Sequence, residues 1–458
     1  MGRGAHMRRG ALNLTICALI CFVAIALPAS AAAQEKAAGA GQAVALNNRG
    51  LELFNQKKYA EAAALFQQAV AINPRLEEAI GNLGLALDAL GKEEDAIADF
   101  NRALALKPTD GITESNLGLA LYHEKKYPES IAAYQKAIVL SPSLPQAHNG
   151  LGASLFHAGR VDEAIAEYRK AIALMPRYAD ALNNLGVALD SQNLWDESIP
   201  YLQQALALEP NALDVQTNLA GALQSAGRAD EAIALYRQIA AAHPANANAW
   251  LQLGDLLFRH GYFEDAIASL EKSLALQPKQ ADAEFIVASA NQSLNKLPEA
   301  IAAFQKGLEL KPGEAHALYN LGNAYLSNKQ PDEAADNFRK ALDAQPDFVP
   351  ALFGLGAALM QTSNLEGAQA AFEKAVALQP ENAEARYNLG NVLFTRKNYA
   401  AAADSYREAI RVNPKLAHAH YNLGITLAAL RQYSEAKKEF EEANRLDPTL
   451  VPPKDNSK

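Results

Sequence analysis

The chain has 458 residues, half of them apolar and a fifth charged, so it can build a large core and lacks the profile of a disordered segment. A formal charge of −9 argues against a nucleic-acid partner, because phosphate binding needs a basic surface. The two cysteines, Cys17 and Cys21, are too few for a disulfide scaffold or a cysteine zinc site.

Residues 1–33 read as a signal peptide. Arg3, Arg8 and Arg9 form a basic start, an apolar run from Ala11 to Leu27 follows, and Pro28 leads into Ala29-Ser30-Ala31-Ala32-Ala33. Charge, greasy stretch and small-residue site together make the secretory pattern. The expected cut falls after Ala33, or after Ala31. The alternative is an uncleaved anchor, although the run is slightly short for a span of about 20 residues. Cys17 and Cys21 each follow an isoleucine, which does not suit a lipoprotein anchor. The chain is therefore expected to be exported, to the periplasm or beyond, with membrane contact only through this segment before cleavage. Residues 34–42 are expected to be a short linker.

Prolines then fall at 74, 108, 142, 176, 210, 244, 278, 312, 346, 380, 414 and 448, each 34 residues after the last. With this proline at position 32, twelve gapless repeats run from 43–76 to 417–450. Other columns keep the register. Position 8 is Gly in ten repeats and Ala in two; position 20 is Ala in ten and Ser in two; position 24 is aromatic in ten. Position 27 is mostly Ala. Small residues let two helices approach, and a large ring fills the gap beside them. Each repeat is read as two helices, positions 1–14 and 18–31, with acids opening the second helix and lysines near its end to suit the dipole. The proline stops the chain and starts the next repeat.

These columns resemble the tetratricopeptide repeat, whose period is 34 residues. The resemblance covers 43–450 and implies an all-α, right-handed superhelical solenoid of twelve helix-turn-helix units. Position 4, often Trp in that family, is Trp250 once and otherwise mixed. Both ends look adapted to water. Position 7 is apolar in repeats two to twelve but Arg49 in the first, with Glu52 one turn on. In the last repeat the usually apolar positions 21 and 28 are Lys437 and Asn444. That suggests an array complete as it stands, with 451–458 as a loose tail.

No catalytic signature is present: there is no GxxxxGK[ST], no GxGxxG after a strand, no HExxH and no GxSxG. The expectation is a protein that is not an enzyme and needs no cofactor or metal. His123 and His157 share position 13 in adjacent repeats and are read as solvated groove-wall residues rather than ligands.

In the family the first helices line the concave face, with positions 2, 5, 6, 9, 12 and 13 pointing inward. Here that face has no lysine, one arginine (Arg259) and several acids: Glu78, Asp88, Asp180, Asp190, Asp214, Asp255, Asp282 and Glu384. The lysines and arginine of the family's carboxylate clamp are missing, which speaks against acidic chaperone tails as ligands. Position 6 is Asn48, Asn82, Asn116, Asn184, Asn218, Asn320, Asn388 and Asn422. A side-chain amide both donates and accepts, so this ladder can hold a peptide backbone without reading its sequence, as in the repeats of O-linked N-acetylglucosamine transferase, which it resembles. The other reading is that these amides tie neighbouring helices together. Position 5 is small or polar in repeats one to six and becomes Phe285, Tyr319, Phe353, Tyr387 and Tyr421 in repeats eight to twelve. Such rings either form a rail that stacks on a ligand or are half buried as part of the repeat.

The leading expectation is a non-enzymatic scaffold that holds an extended protein segment in its groove. One alternative is an assembly factor of an envelope machine (pilus, secretion or polysaccharide export) acting through its convex face or ends. The other is an accessory subunit of a glycosyltransferase.

Overall fold

The computed structural model describes residues 31–451, with side chains from residue 39 onward. The segment 1–30, which holds most of the expected signal peptide, and residues 452–458 of the expected tail lie outside the described residues. Residues 34–42, expected as a linker, are helical and belong to the first helix, Ala31–Asn55.

Twenty-four α-helices follow one another in pairs, and no strand occurs among the described residues. Each repeat contributes a first helix, A, and a second helix, B. They form two compact units, one up to Leu235 and one from Tyr236, with the boundary inside helix B of repeat six, Ala229–Ala242. Repeats one to five lie in the first unit and seven to twelve in the second.

The helix limits have local causes. Every B helix covers positions 17–30, for example Glu93–Leu106 and Tyr399–Val412, one residue earlier at both ends than the sequence suggests. Position 31 precedes the repeat proline, which excludes the α conformation there. Asn73, Ser141 and Gln345 accordingly sit at φ −130 to −141° and ψ 78 to 92°. A helices end at position 12 or 13, as in Glu77–Asp88 and Gly111–His123. Position 15 then turns left-handed in all twelve repeats, from Lys57 (φ 59°) to Arg431 (φ 63°). Glycine supplies this conformation in four repeats, Gly91, Gly159, Gly227 and Gly261, while Lys, Asn, Ser or Arg bears the strain in the other eight.

The packing within each repeat is the expected one. A Cβ at Gly84 would lie 2.8 Å from the Phe100 ring, and one at Gly390 would lie 2.6 Å from the Tyr406 ring. In these repeats positions 8 and 24 thus meet at a distance that suits glycine, while Ala220 and Ala288 take position 8 opposite Tyr236 and Phe304. The facing alanines, such as Ala62, Ala96, Ala334 and Ala402, are fully buried. Where position 24 is leucine (Leu202, Leu270), the branched side chain fills the same place against Gly186 and Gly254. Pro200 is the sixth residue of helix Trp195–Leu208, which keeps the 14-residue length of its counterparts.

Position 4 gains a meaning that the mixed column hid. Trp250, Gln216 and Arg386 each donate a side-chain N–H to the carbonyl of the preceding repeat's proline, at 3.1, 2.8 and 2.9 Å, and a ring nitrogen of His420 reaches it at 3.2 Å. Different residue types share one bond, which fastens these A helices to the turn before them. At the ends, Arg49, Lys437 and Asn444 are exposed where the equivalent positions are mostly apolar and buried.

Candidate functional site

The inward positions of the A helices carry the candidate site, and each unit builds it differently. In the first unit Asn82, Asn184 and Asn218 donate through Nδ2 to Oδ1 of Asn47, Asn149 and Asn183, at 2.9, 3.0 and 2.9 Å. Each partner is position 5 of the repeat before. In the second unit Asn422 donates to Tyr387 Oη at 3.1 Å and to Asn391 Oδ1 at 2.9 Å. Four of the eight ladder amides therefore tie neighbouring helices together.

The other four, Asn48, Asn116, Asn320 and Asn388, are half-buried and make no side-chain hydrogen bond among the described residues. The difference has a simple cause. The residue at position 5 of the preceding repeat is Gly81, Phe285 or Phe353 for Asn116, Asn320 and Asn388, and none of these has a side-chain acceptor. Asn48 has no preceding repeat. The ladder is also interrupted for a steric reason. Gly150 and Gly354 stand at position 6 where a Cβ would lie 2.2 Å from the Tyr134 ring and 2.5 Å from the Phe338 ring.

The aromatic residues at position 5 are half-buried. Tyr319, Phe353, Tyr387 and Tyr421 each rest a ring against the position-24 ring of the same repeat, Phe338, Phe372, Tyr406 and Phe440, at centroid distances of 5.7 to 6.0 Å. Phe285 instead lies over Gly307, where a Cβ would be 2.4 Å from its ring. The rings are thus part of the repeat packing and stay half-exposed. Aromatic contacts of this tilted and edge-on kind fix ring orientation.

Several acids of this face have partners. Asp88 meets His123 Nδ1 at 2.9 Å, Asp255 meets Arg259 at 2.9 Å, and Asp282 lies 3.8 Å from Lys311. The hydrogen bond that Asp88 accepts raises the His123 pKa above its usual value. Burial pushes the Asp190 carboxyl up to about 6. His157 does not join His123; its ring stacks on Tyr127 at 5.3 Å and lies edge-on to Tyr122 at 5.3 Å. Among the described residues, no three His, Cys, Asp or Glu side chains gather where they could hold a metal ion. No described helix is long and apolar enough to cross a membrane.

Two features escaped the sequence reading: the division of the ladder into tied and free amides, and the role of Asn391. The first was present as the position-5 residue one repeat earlier, 35 residues upstream of each amide.

Paired helices in one repeating register, with side-chain amides and ring faces presented along the A helices, define a helical-repeat protein of the interaction-scaffold class. Models of the tetratricopeptide repeat match residues 43–76, 77–110, 118–159, 143–210, 191–241, 223–286, 288–348, 353–415 and 417–450, nearly the whole array. The chain belongs to the tetratricopeptide-repeat proteins. The matches at 43–76, 77–110 and 417–450 coincide with repeats one, two and twelve.

Among solved structures, YrrB, described as a TPR protein with an unusual peptide-binding site, is 28% identical; the match covers 40% of this chain and 94% of that one, with a TM-score of 0.36. A crystal structure of MamA is 29% identical over 38% of this chain and 94% of its own, with a TM-score of 0.36. Cut9–Hcn1, a hetero-tetramer of the APC/C, aligns over 89% of this chain and 94% of its own at 15% identity, with a TM-score of 0.38. No curated protein matches the chain.

Proposed function

We propose that this protein is a non-catalytic scaffold that holds extended protein segments along the A-helix faces of its two units. One observation carries the reading: Asn48, Asn116, Asn320 and Asn388 keep half-exposed amides that no neighbouring helix uses. A free amide donates and accepts, which suits a peptide backbone. The half-exposed rings of Tyr319, Phe353, Tyr387 and Tyr421 offer apolar surface to the segment's side chains. The resemblance to the amide ladder of the O-linked N-acetylglucosamine transferase repeats supports the same reading. We place the protein outside the cytoplasm on the strength of the pattern in residues 1–33.

The test is a titration of labelled twenty-residue peptides against the parent and the variant Asn116→Ala/Asn320→Ala/Asn388→Ala. Each net hydrogen bond is worth about 0.5–1.5 kcal/mol, so the triple variant should lose binding to every peptide alike while its thermal midpoint stays put. Parent-like binding by the folded triple variant would remove the ladder from the function.

A second reading, docking through the outer face into an envelope assembly, draws on one feature. The apolar residues that close the B helices stay exposed, among them Ile72, Leu106, Leu174, Leu276, Leu310 and Leu378, each 38–43% accessible. Replacing these with Gln separates the two readings, because peptide capture on the A-helix face would survive it.

A further inference from the structure

A cavity of about 210 Å³ opens between repeats eleven and twelve, lined by Asn391, Phe394 and Thr395 of helix Ala383–Thr395, Tyr406 of helix Tyr399–Val412, and Asn422 and Ile425 of helix Ala417–Ala429. Its hydrogen bonds link both amides to the neighbouring phenols. Asn391 Oδ1 accepts from Tyr406 Oη at 2.8 Å and from Asn422 Nδ2 at 2.9 Å. Two donors on that atom occupy both of its lone pairs. The Asn391 Nδ2 has no protein partner. Asn422 Nδ2 spends its hydrogens on Asn391 and on Tyr387 Oη, which leaves the Asn422 Oδ1 without a donor. Thr395 gives its hydroxyl hydrogen to the Asn391 backbone carbonyl at 2.8 Å.

The lining amides thus keep the unspent NH2 of Asn391 and the unspent carbonyl oxygen of Asn422, while the Tyr406 and Thr395 hydroxyls have given their hydrogens to Asn391. Phe394 and Ile425 supply apolar wall, and no charged residue lines the cavity. We infer that this cavity is a specificity pocket for an uncharged carboxamide side chain, glutamine or asparagine, of the segment bound in the groove; the inference rests on the groove reading above.

The exclusions follow from the same inventory. A carboxylate would face the Asn422 oxygen with no cation to neutralise it. An ammonium group would meet the Asn391 N–H. A hydrocarbon side chain would displace water from both amides and leave them unpaired, which costs more than the apolar contact returns. A carboxamide accepts from Asn391 and donates to Asn422, with its methylene stem between Phe394 and Ile425. The set of Asn at position 9, Tyr at positions 5 and 24, and Asn at position 6 of the next repeat occurs once along the chain, so the pocket is not a by-product of the repeat consensus.

The experiment uses the full chain and four labelled twenty-residue peptides of alternating alanine and serine, carrying a central Gln, Glu, Met or Lys. The parent should bind the Gln peptide about tenfold more tightly than the Glu and Met peptides, the ratio that about 1.4 kcal/mol of paired against unpaired amide gives. Asn391→Asp keeps the two accepted hydrogen bonds but turns the spare donor into an acceptor. It should lose the Gln preference and bind the Lys peptide several-fold better than the parent does. Equal affinity of the parent for all four peptides, still weakened by the Asn116/Asn320/Asn388 triple variant, overturns the pocket and leaves the groove standing. Failure of the parent to bind any of the four overturns both.

Discussion

The two compact units share one packing rule and differ in what they put on the A-helix face. In the first, position 5 is small or polar, and Asn47, Asn149 and Asn183 accept the amide of the following repeat. In the second, position 5 is a ring in repeats eight to twelve, four of these rings lean on the position-24 ring of their own repeat, and a phenol oxygen, Tyr387 Oη, replaces the amide as acceptor. The first unit therefore spends three amides on holding helices together and presents a polar face. The second puts rings at position 5 that pack within their own repeat, which leaves Asn320 and Asn388 unspent. One fold accommodates both because the Gly-8 to ring-24 contact, shared by the two units, carries the pairing of A with B.

The largest expected effect probes a flaw confined to the first unit. Pro200 removes the bond its N–H would give to Asp196 within helix Trp195–Leu208. A proline inside a helix costs about 3 kcal/mol, so Pro200→Ala should raise the thermal midpoint, read by circular dichroism, by up to that equivalent. An unmoved midpoint would show that the helix absorbs the proline at no cost.

Next comes the contact the units share. Gly84→Ala and Gly390→Ala both drive a methyl into a ring, and overpacking of this kind costs about 1–3 kcal/mol. Similar losses in denaturant midpoint confirm a common rule. A loss limited to one variant would show that the other unit's rings have room to move.

The left-handed turn offers opposite signs in the two units. Gly91→Ala places a Cβ at φ 69°, and Ser363→Gly removes one at φ 62°. Left-handed backbone costs an ordinary residue about 1–2 kcal/mol. The first change should therefore lower the denaturant midpoint and the second raise it, each by about 1 kcal/mol.

The ladder itself comes after these. Asn184→Ala leaves Asn149 without its donor, and Tyr387→Phe removes an acceptor of Asn422; each should cost about 0.5–1.5 kcal/mol. Asn116→Ala breaks no bond and should leave stability unchanged. Equal destabilisation by Asn116→Ala would erase the distinction between tied and free amides.

The smallest effect is electrostatic. Burial raises Asp190 from an ordinary value of 3.8 to about 6. The folded state thus holds a proton that the unfolded chain has released, and stability falls as pH rises between those two values. Asp190→Asn should flatten that part of the pH–stability curve. A parent and variant that run parallel from pH 3.5 to 7 would show that the carboxyl is solvated.

The repeat architecture was legible because it is written in residues whose physics is local or strictly periodic. Proline at position 32 ends helix B through its effect on the residue before it. Gly at 8, Ala at 20 and a ring at 24 can meet only if two helices pack in that register. Twelve repetitions of one period leave no other assignment. The end of helix B moved by a single residue because the pre-proline restriction acts on position 31 itself.

The site was legible only in part. The sequence located the amides and the rings, but each position-6 amide is free or spent according to the residue 35 positions earlier, on another helix. Gly81, Phe285 and Phe353 leave Asn116, Asn320 and Asn388 unspent, while Asn47, Asn149 and Asn183 consume their neighbours. Likewise, Trp250, Gln216, Arg386 and His420 look unrelated in sequence and prove equivalent once each reaches the same proline carbonyl. The fold was determined by contacts that every repeat makes in the same way. The chemistry of the face was decided by hydrogen bonds between repeats, where only the packed helices determine which acceptor, if any, lies within a donor's reach.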